Sequence, residues 1–158
     1  MASIDTRSLR SGWKHLDIAE KFNDKVLNTP ARHVNDGLLR LLAVLSQLAS
    51  DEHFLLFDEI ENGINPELVE FLVDALVESD HQVMVTTHSP VILNYLVDDV
   101  AKQGVIYLYK NAKGATKAMR LFEIPSLAEK LQFMGPGEAF IDTQLTELAA
   151  EIQSLSAK

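Results

Sequence analysis

The feature that most limits what this chain can fold into is a strand–helix–strand pattern between residues 53 and 90. Residues 53–58 form a continuous apolar run that ends on Asp58 and Glu59, the mark of a short strand covered on both faces. Asn65 then caps and Pro66 opens a helix, with Leu68, Phe71, Leu72, Ala75 and Leu76 on one stripe. "QVMVTTHS" follows as a second, β-branched strand, and Ser89-Pro90 caps and opens another helix. Strands joined by a helix in this way pair in parallel. The expected class is α/β, a mainly parallel sheet flanked by helices.

The flanks yield to the same rules. Leu9, Trp13, Leu16, Phe22, Val26 and Leu27 make a loose helical pattern ended by Thr29-Pro30, so residues 1–34 are expected to form a helical lead-in. Asn35 is a good N-cap, and "DGLLRLLAVLSQLA" continues as a helix that is apolar nearly all round. "GVIYLYK" and "TKAMRLFE" read as a hairpin turning at residues 111–114. Sheet packing accounts for Tyr107 and Tyr109, which alternate with Ile106 and Leu108. Ser126 and Glu129 have capping-box spacing. "FMGPGEAF" reads as a loop between helices; no Lys and Ser follow its glycines, as a phosphate site would need. A final helix carries Ile141, Leu145, Leu148, Ile152 and Leu155, expected to pack on the chain's own sheet rather than on a partner helix. Residues 35–158 are expected to form one lobe within a single compact domain.

At 158 residues and 47% hydrophobic, the chain is long enough to bury a sizeable core. No apolar run reaches the ~18 residues needed to cross a bilayer, and no signal-peptide segment opens the sequence. The absence of cysteine fits a cytoplasmic location. A net charge of −9 argues against a chain that coats nucleic acid by itself, so any part in DNA transactions would be indirect. Arg7, Arg10, Lys14 and His15 form a small basic group, but acids soon interleave and a solvated face explains it.

Ligands of parallel sheets sit beyond the carboxyl ends of the strands. Asp58 and Glu59 follow the first strand, and His88 follows the second. An Asp at a strand end can hold Mg²⁺ through oxygen, and the next carboxylate can polarise a water. A histidine one strand away can reach a terminal phosphate. Together these suit hydrolysis of a nucleotide γ-phosphate, which depends on positioning and charge neutralisation.

"NDGLLRLL", "FLLFDEIENGINP" and "VMVTTHSP", in this order and spacing, resemble the C-terminal half of an ABC-type ATPase domain of the RecF, SMC and OLD (overcoming-lysogenization-defect) group. The resemblance covers residues 35–109, about half the chain. It implies a P-loop NTPase-like fold that uses ATP and Mg²⁺. It further implies Asp58 as the Walker B metal ligand, Glu59 as the catalytic glutamate and His88 as the switch histidine. Residues 61–65, with Asn62 and Asn65, would be the D-loop that lies across a dimer interface. Asn35, Asp36, Gly37 and Arg40 would be the signature motif, which closes on the nucleotide of the opposite protomer. Here the family's usual Ser is Asn35, and its Leu-His-Pro is Ile64-Asn65-Pro66. At Gly37, a missing side chain beside a helix N-terminus would let a phosphate approach the backbone.

No G-x-x-x-x-G-K-[ST] occurs, and only seven glycines are present. The 34 residues before Asn35 are too few for the lobe that carries that loop. The sequence therefore implies an ATPase segment completed by a phosphate-loop (Walker A) lobe or partner and silent alone. The alternative is a non-catalytic interaction or dimerisation module derived from such an ATPase. Two observations favour chemistry: the acids are both intact, and burying two carboxylates without a cation is costly. A nuclease cluster of Asp58, Glu59 and Glu61 lacks any accompanying motif. An uncovered sheet edge or face predicts self-association.

Overall fold

A computed structural model describes residues 3–8, 12–23, 25–111 and 113–156. The central unit is the expected one. Strand β4 (Phe54–Phe57) and strand β5 (Gln82–Val85) pair in parallel, Phe57 opposite Val85, and helix α2 (Pro66–Val77) connects them. Helix α1 (Asp36–Leu48) packs on the same side, and Asn35 Oδ1 accepts the Leu38 N–H at 2.7 Å as its cap. At the start of α2, Asn65 Oδ1 accepts the Glu67 N–H at 3.2 Å. Leu41 and Val44 of α1 meet Val69, Leu72, Val73 and Leu76 of α2, with Ile60, Ile64 and Ile92 closing the core. The buried face of α2 is thus shifted from the expected stripe. Leu68 and Phe71 lie on its outer flank, the latter 54% exposed.

The helical lead-in is not formed. Instead β1 (Ser3–Ser8), β2 (Lys14–Phe22) and β3 (Lys25–Pro30) make an antiparallel sheet, in that order. Of the residues read there as helical or basic, Leu9 and Arg10 lie outside the described positions. Gly12 at φ 80° and Asn23 at φ 52° supply the left-handed backbone that tight reversals need. Cross-strand bonds then satisfy the main chain that a helix would have satisfied internally. Asp17 of β2, 6% exposed, takes both Nε and Nη2 of Arg7 on one oxygen, at 2.9 and 2.5 Å.

After β5, Pro90 opens a 3₁₀ helix, Pro90–Tyr95, without a side-chain cap from Ser89. Helix α3 (Asp98–Gly104) leads into the hairpin β6 (Ile106–Lys110) and β7 (Thr116–Arg120). Tyr107 and Tyr109 stack, centroids 6.4 Å apart, and Tyr107 meets Phe140 at 5.8 Å. Helices α4 (Pro125–Lys130), α5 (Pro136–Ile141) and α6 (Leu145–Ser156) follow. Leu148 and Ile152 of α6 join a second core with Ala101, Phe122, Ile124 and Leu127. The final apolar run is therefore two helices. Lys130 Nζ donates to the Asp142 carbonyl at 2.7 Å and to Thr143 Oγ1 at 3.0 Å, which fixes the break, and Ile141 and Leu145 stay exposed. "PGEAFI" is helical rather than loop. The capping box is not made either: Ser126 lies inside α4, its hydroxyl and N–H both donating to Glu151 of α6.

One further expectation changes. Only one face of β4–β5 is covered by α1 and α2. On the other, Phe54, Leu56 and Met84 are 51%, 61% and 54% exposed. No described helix is long and apolar enough to cross a membrane.

Candidate functional site

Parallel register carries residue 58 opposite residue 86, one step past the last pair of the ladder. Thr86 exploits that register twice. Its hydroxyl donates to Asp58 Oδ1, and its oxygen accepts the Glu59 N–H at 2.9 Å. Its own N–H and carbonyl pair with the Phe57 carbonyl and the Ile60 N–H. A single threonine thus ties both carboxylate-bearing residues to the neighbouring strand end.

Glu59 stands at φ 47°, a left-handed conformation that a non-glycine residue adopts at a cost. Arg40, reaching from α1, holds it there: Nη2 donates to the carbonyls of Asp58 at 2.5 Å and of Glu59 at 2.8 Å. The turn at Glu59 swings its side chain toward the second strand end. Its Oε1 lies 3.5 Å from His88 Nε2, and its Oε2 accepts from Asn62 Nδ2 at 3.1 Å. The His88 side chain is 85% exposed and that of Glu59 43%, and Asp58 is exposed as well. The carboxylates are therefore not buried, and the cost of burying them gives no reason to require a cation.

Asp36, Arg40, Asn62 and Gly63 line an open cleft of about 410 Å³ beside this pair. Gly37 is in a different position from that expected. It is buried, and a Cβ built on it would come 1.9 Å from the Gly63 carbonyl oxygen and 3.2 Å from Ile64 Cα. The room left by its missing side chain is filled by the loop after Glu59, not left open to a phosphate. Asn35 and Asn65 spend their side-chain oxygens on the helix caps.

The structure brings Asp58, Glu59 and His88 to one edge, with Arg40 of α1 and Asn62 both bonded to the carboxylate-bearing turn. Asn35, Gly37 and Asn65 serve the helix starts around it. The sequence reading missed Thr86 and Thr87. The signal was present: once strands 54–57 and 82–85 are paired in parallel, the "TT" of "VTTHSP" must meet the "DEIE" of "FDEIENG". Among the described residues no group of three or more His, Asp or Glu is placed to hold a metal, which gives the nuclease cluster no support. A carboxylate beside an imidazole at adjacent strand ends can take a proton from a bound water and pass it on. An exposed aspartate next to them offers oxygen to a hard cation.

A comparison with curated proteins finds no match. Among solved structures, the chain is similar to one from "Structural biochemistry of ATP-driven dimerization and DNA stimulated activation of SMC ATPases". The TM-score is 0.55 at 19% identity, and the overlap covers 84% of this chain and 81% of that one. At that identity the likeness is one of fold, and it places the chain among P-loop NTPase-like α/β folds. Residues 8–94 match the family model described as "AAA domain, putative AbiEii toxin, Type IV TA system". That match spans more than half the chain and contains β4, α2, β5 and all the site residues above. The chain belongs to this family, as an ATPase-like AAA domain of SMC-like fold.

Proposed function

We propose that this chain is the C-terminal segment of an ABC-type ATP-hydrolysing domain, and that its phosphate loop comes from a separate lobe or polypeptide. The observation that carries the proposal is the meeting of Glu59 and His88 at 3.5 Å, with Asp58 and Glu59 locked to the same threonine. In this reading Glu59 takes a proton from the attacking water as its oxygen bonds to the terminal phosphorus and the bond to the ADP oxygen breaks. His88 hydrogen-bonds the terminal phosphate, and the proton leaves Glu59 for the released phosphate. Asp58 would hold Mg²⁺, whose bound charge would offset that developing on the phosphates. Asp36, Arg40 and Asn62 line the cleft where a second subunit's nucleotide would lie, flanked by the caps at Asn35 and Asn65 and by Gly37. The open apolar face of Phe54, Leu56 and Met84 supports a covering lobe or a second copy of the chain.

ATP turnover by the chain combined with a lobe bearing G-x-x-x-x-G-K-[ST] tests this. Glu59→Gln should lower kcat by roughly 10²-fold or more while ATP still binds, as loss of a general base does. Turnover equal to the parent in both Glu59→Gln and His88→Ala would sink the assignment. A second reading, a non-catalytic dimerisation module, draws on the same open face. It predicts association that is indifferent to Mg-ATP and to Asp58→Ala.

A further inference from the structure

We propose that Glu61 is the positioning residue for His88, acting on its main chain; the proposal rests on the hydrolytic reading of His88 given above. The His88 ring is too exposed for packing to fix it, although its Nε2 lies 3.5 Å from Glu59 Oε1. Its direction is therefore set by the loop of residues 86–89. Thr86 anchors the near end of that loop to Asp58 and Glu59. Glu61 anchors the middle: its Oε1 accepts the Thr87 hydroxyl at 2.8 Å and the His88 N–H at 3.2 Å. Thr87 Oγ1 in turn accepts the Ser89 N–H at 2.9 Å, closing the turn.

Glu61 is not a solvated acid that happens to lie nearby. Its Oε2 is buried and has no partner among the described residues. Holding one carboxylate oxygen out of water without a partner is costly, and the bonds made by the other oxygen offset that cost. Glu61 also opens the 61–65 loop, which contains Asn62 and leads to the α2 cap. A shift of that loop would pull Oε1 away from the His88 amide and move the imidazole off Glu59. The alignment of His88 is thereby linked to the loop that packs on α1 at Gly37.

The test uses the chain itself, by NMR, comparing Glu61→Ala with Glu61→Gln, which keeps an acceptor oxygen in place. In Glu61→Ala the His88 amide should exchange at least about tenfold faster, as loss of one hydrogen bond implies. The ring-to-Glu59 cross-peaks should vanish, while amides of α2 keep their protection. Glu61→Gln should restore both signals. Unchanged His88 signals in Glu61→Ala, with the fold intact, would overturn the proposal, as would failure of Glu61→Gln to restore them. Turnover in the completed protein separates this proposal from the one it rests on. Glu61→Ala combined with His88→Ala should lose no more kcat than His88→Ala alone. If the NMR changes appear but His88→Ala turns over normally, the positioning role stands and the hydrolytic reading falls.

Discussion

Arg40 Nη2 lies 2.8 Å from the main-chain oxygen of Glu59, so the start of helix α1 grips the one strained residue of the candidate site. The same nitrogen reaches the Asp58 carbonyl. This contact connects two sequence motifs, "NDGLLR" and "FDEIEN", through residues 19 positions apart. It also explains how a glutamate can be held with φ 47°.

Arg40→Ala should therefore cost about 1.5–3 kcal/mol, the range for hydrogen bonds from a charged donor. For a domain of this size that is a melting point lower by roughly 4–10 °C. Arg40→Lys should recover less than half of the loss, because the lysine nitrogen ends one bond short of Nη2 and is a more strongly hydrated donor. Thermal unfolding followed by circular dichroism reads both.

Glu59→Gly should stabilise the chain while removing its proposed chemistry. Glycine adopts φ near 47° freely, and relief of the left-handed backbone is worth on the order of 1 kcal/mol. Loss of the Asn62 contact offsets part of that gain. Urea unfolding should show a midpoint at or above the parent's. A clear drop would mean that the Glu59 side chain contributes to the fold.

Gly37→Ala should destabilise with no nucleotide present. The added methyl would sit 1.9 Å from the Gly63 carbonyl, so α1 or the 61–65 loop must move. Overpacking of this kind costs about 1–3 kcal/mol or more. If stability is unchanged and only ATP-dependent behaviour suffers, the glycine serves a phosphate after all.

Asn94 makes a separate prediction, at the far end of the 3₁₀ helix that follows His88. Its Oδ1 accepts the N–H groups of Gly137 and Glu138 at 2.8 and 3.2 Å. A Cβ on Gly137 would meet that oxygen at 2.8 Å and the Pro90 carbonyl at 2.4 Å. Asn94→Ala should cost about 1–2 kcal/mol, since it strands two amide donors. Gly137→Ala should cost at least as much. Faster amide exchange at Gly137 and Glu138 locates the effect.

Much of the centre was legible because its signals are local. Asn35, Asn65 and Pro66 mark helix starts by their own chemistry, and the two apolar runs fix β4 and β5. The site followed from topology alone: parallel pairing brings Asp58, Glu59 and His88 together. The N-terminal sheet was not legible from periodicity. Leu16 faces Thr6 and Ile18 faces Thr29 across strands, so those partners are set by pairing at a distance. Gly12 and Asn23 were the available turn signals. That a sheet edge or face would lie open is expected from the sequence; which face of β4 it is could not be read, because a continuous apolar run looks the same on both sides. In sequence Glu61 reads only as the start of the 61–65 loop and as one acid of a nuclease cluster. Its hold on Thr87 and His88 was not legible, because these partners lie 26 and 27 residues away.

In the proposed function this chain carries the hydrolytic side of a nucleotide site, and the loop that cradles the phosphates comes from elsewhere. Calorimetric titration of the purified chain with Mg-ATP, alongside Asp58→Ala, tests it most directly. The expected result is no binding heat up to about 1 mM ATP, a range that would reveal any binding stronger than about −4 kcal/mol, and no difference between the two proteins. Saturable binding that disappears in Asp58→Ala would contradict it, and would show that the chain holds nucleotide by itself through another cradle.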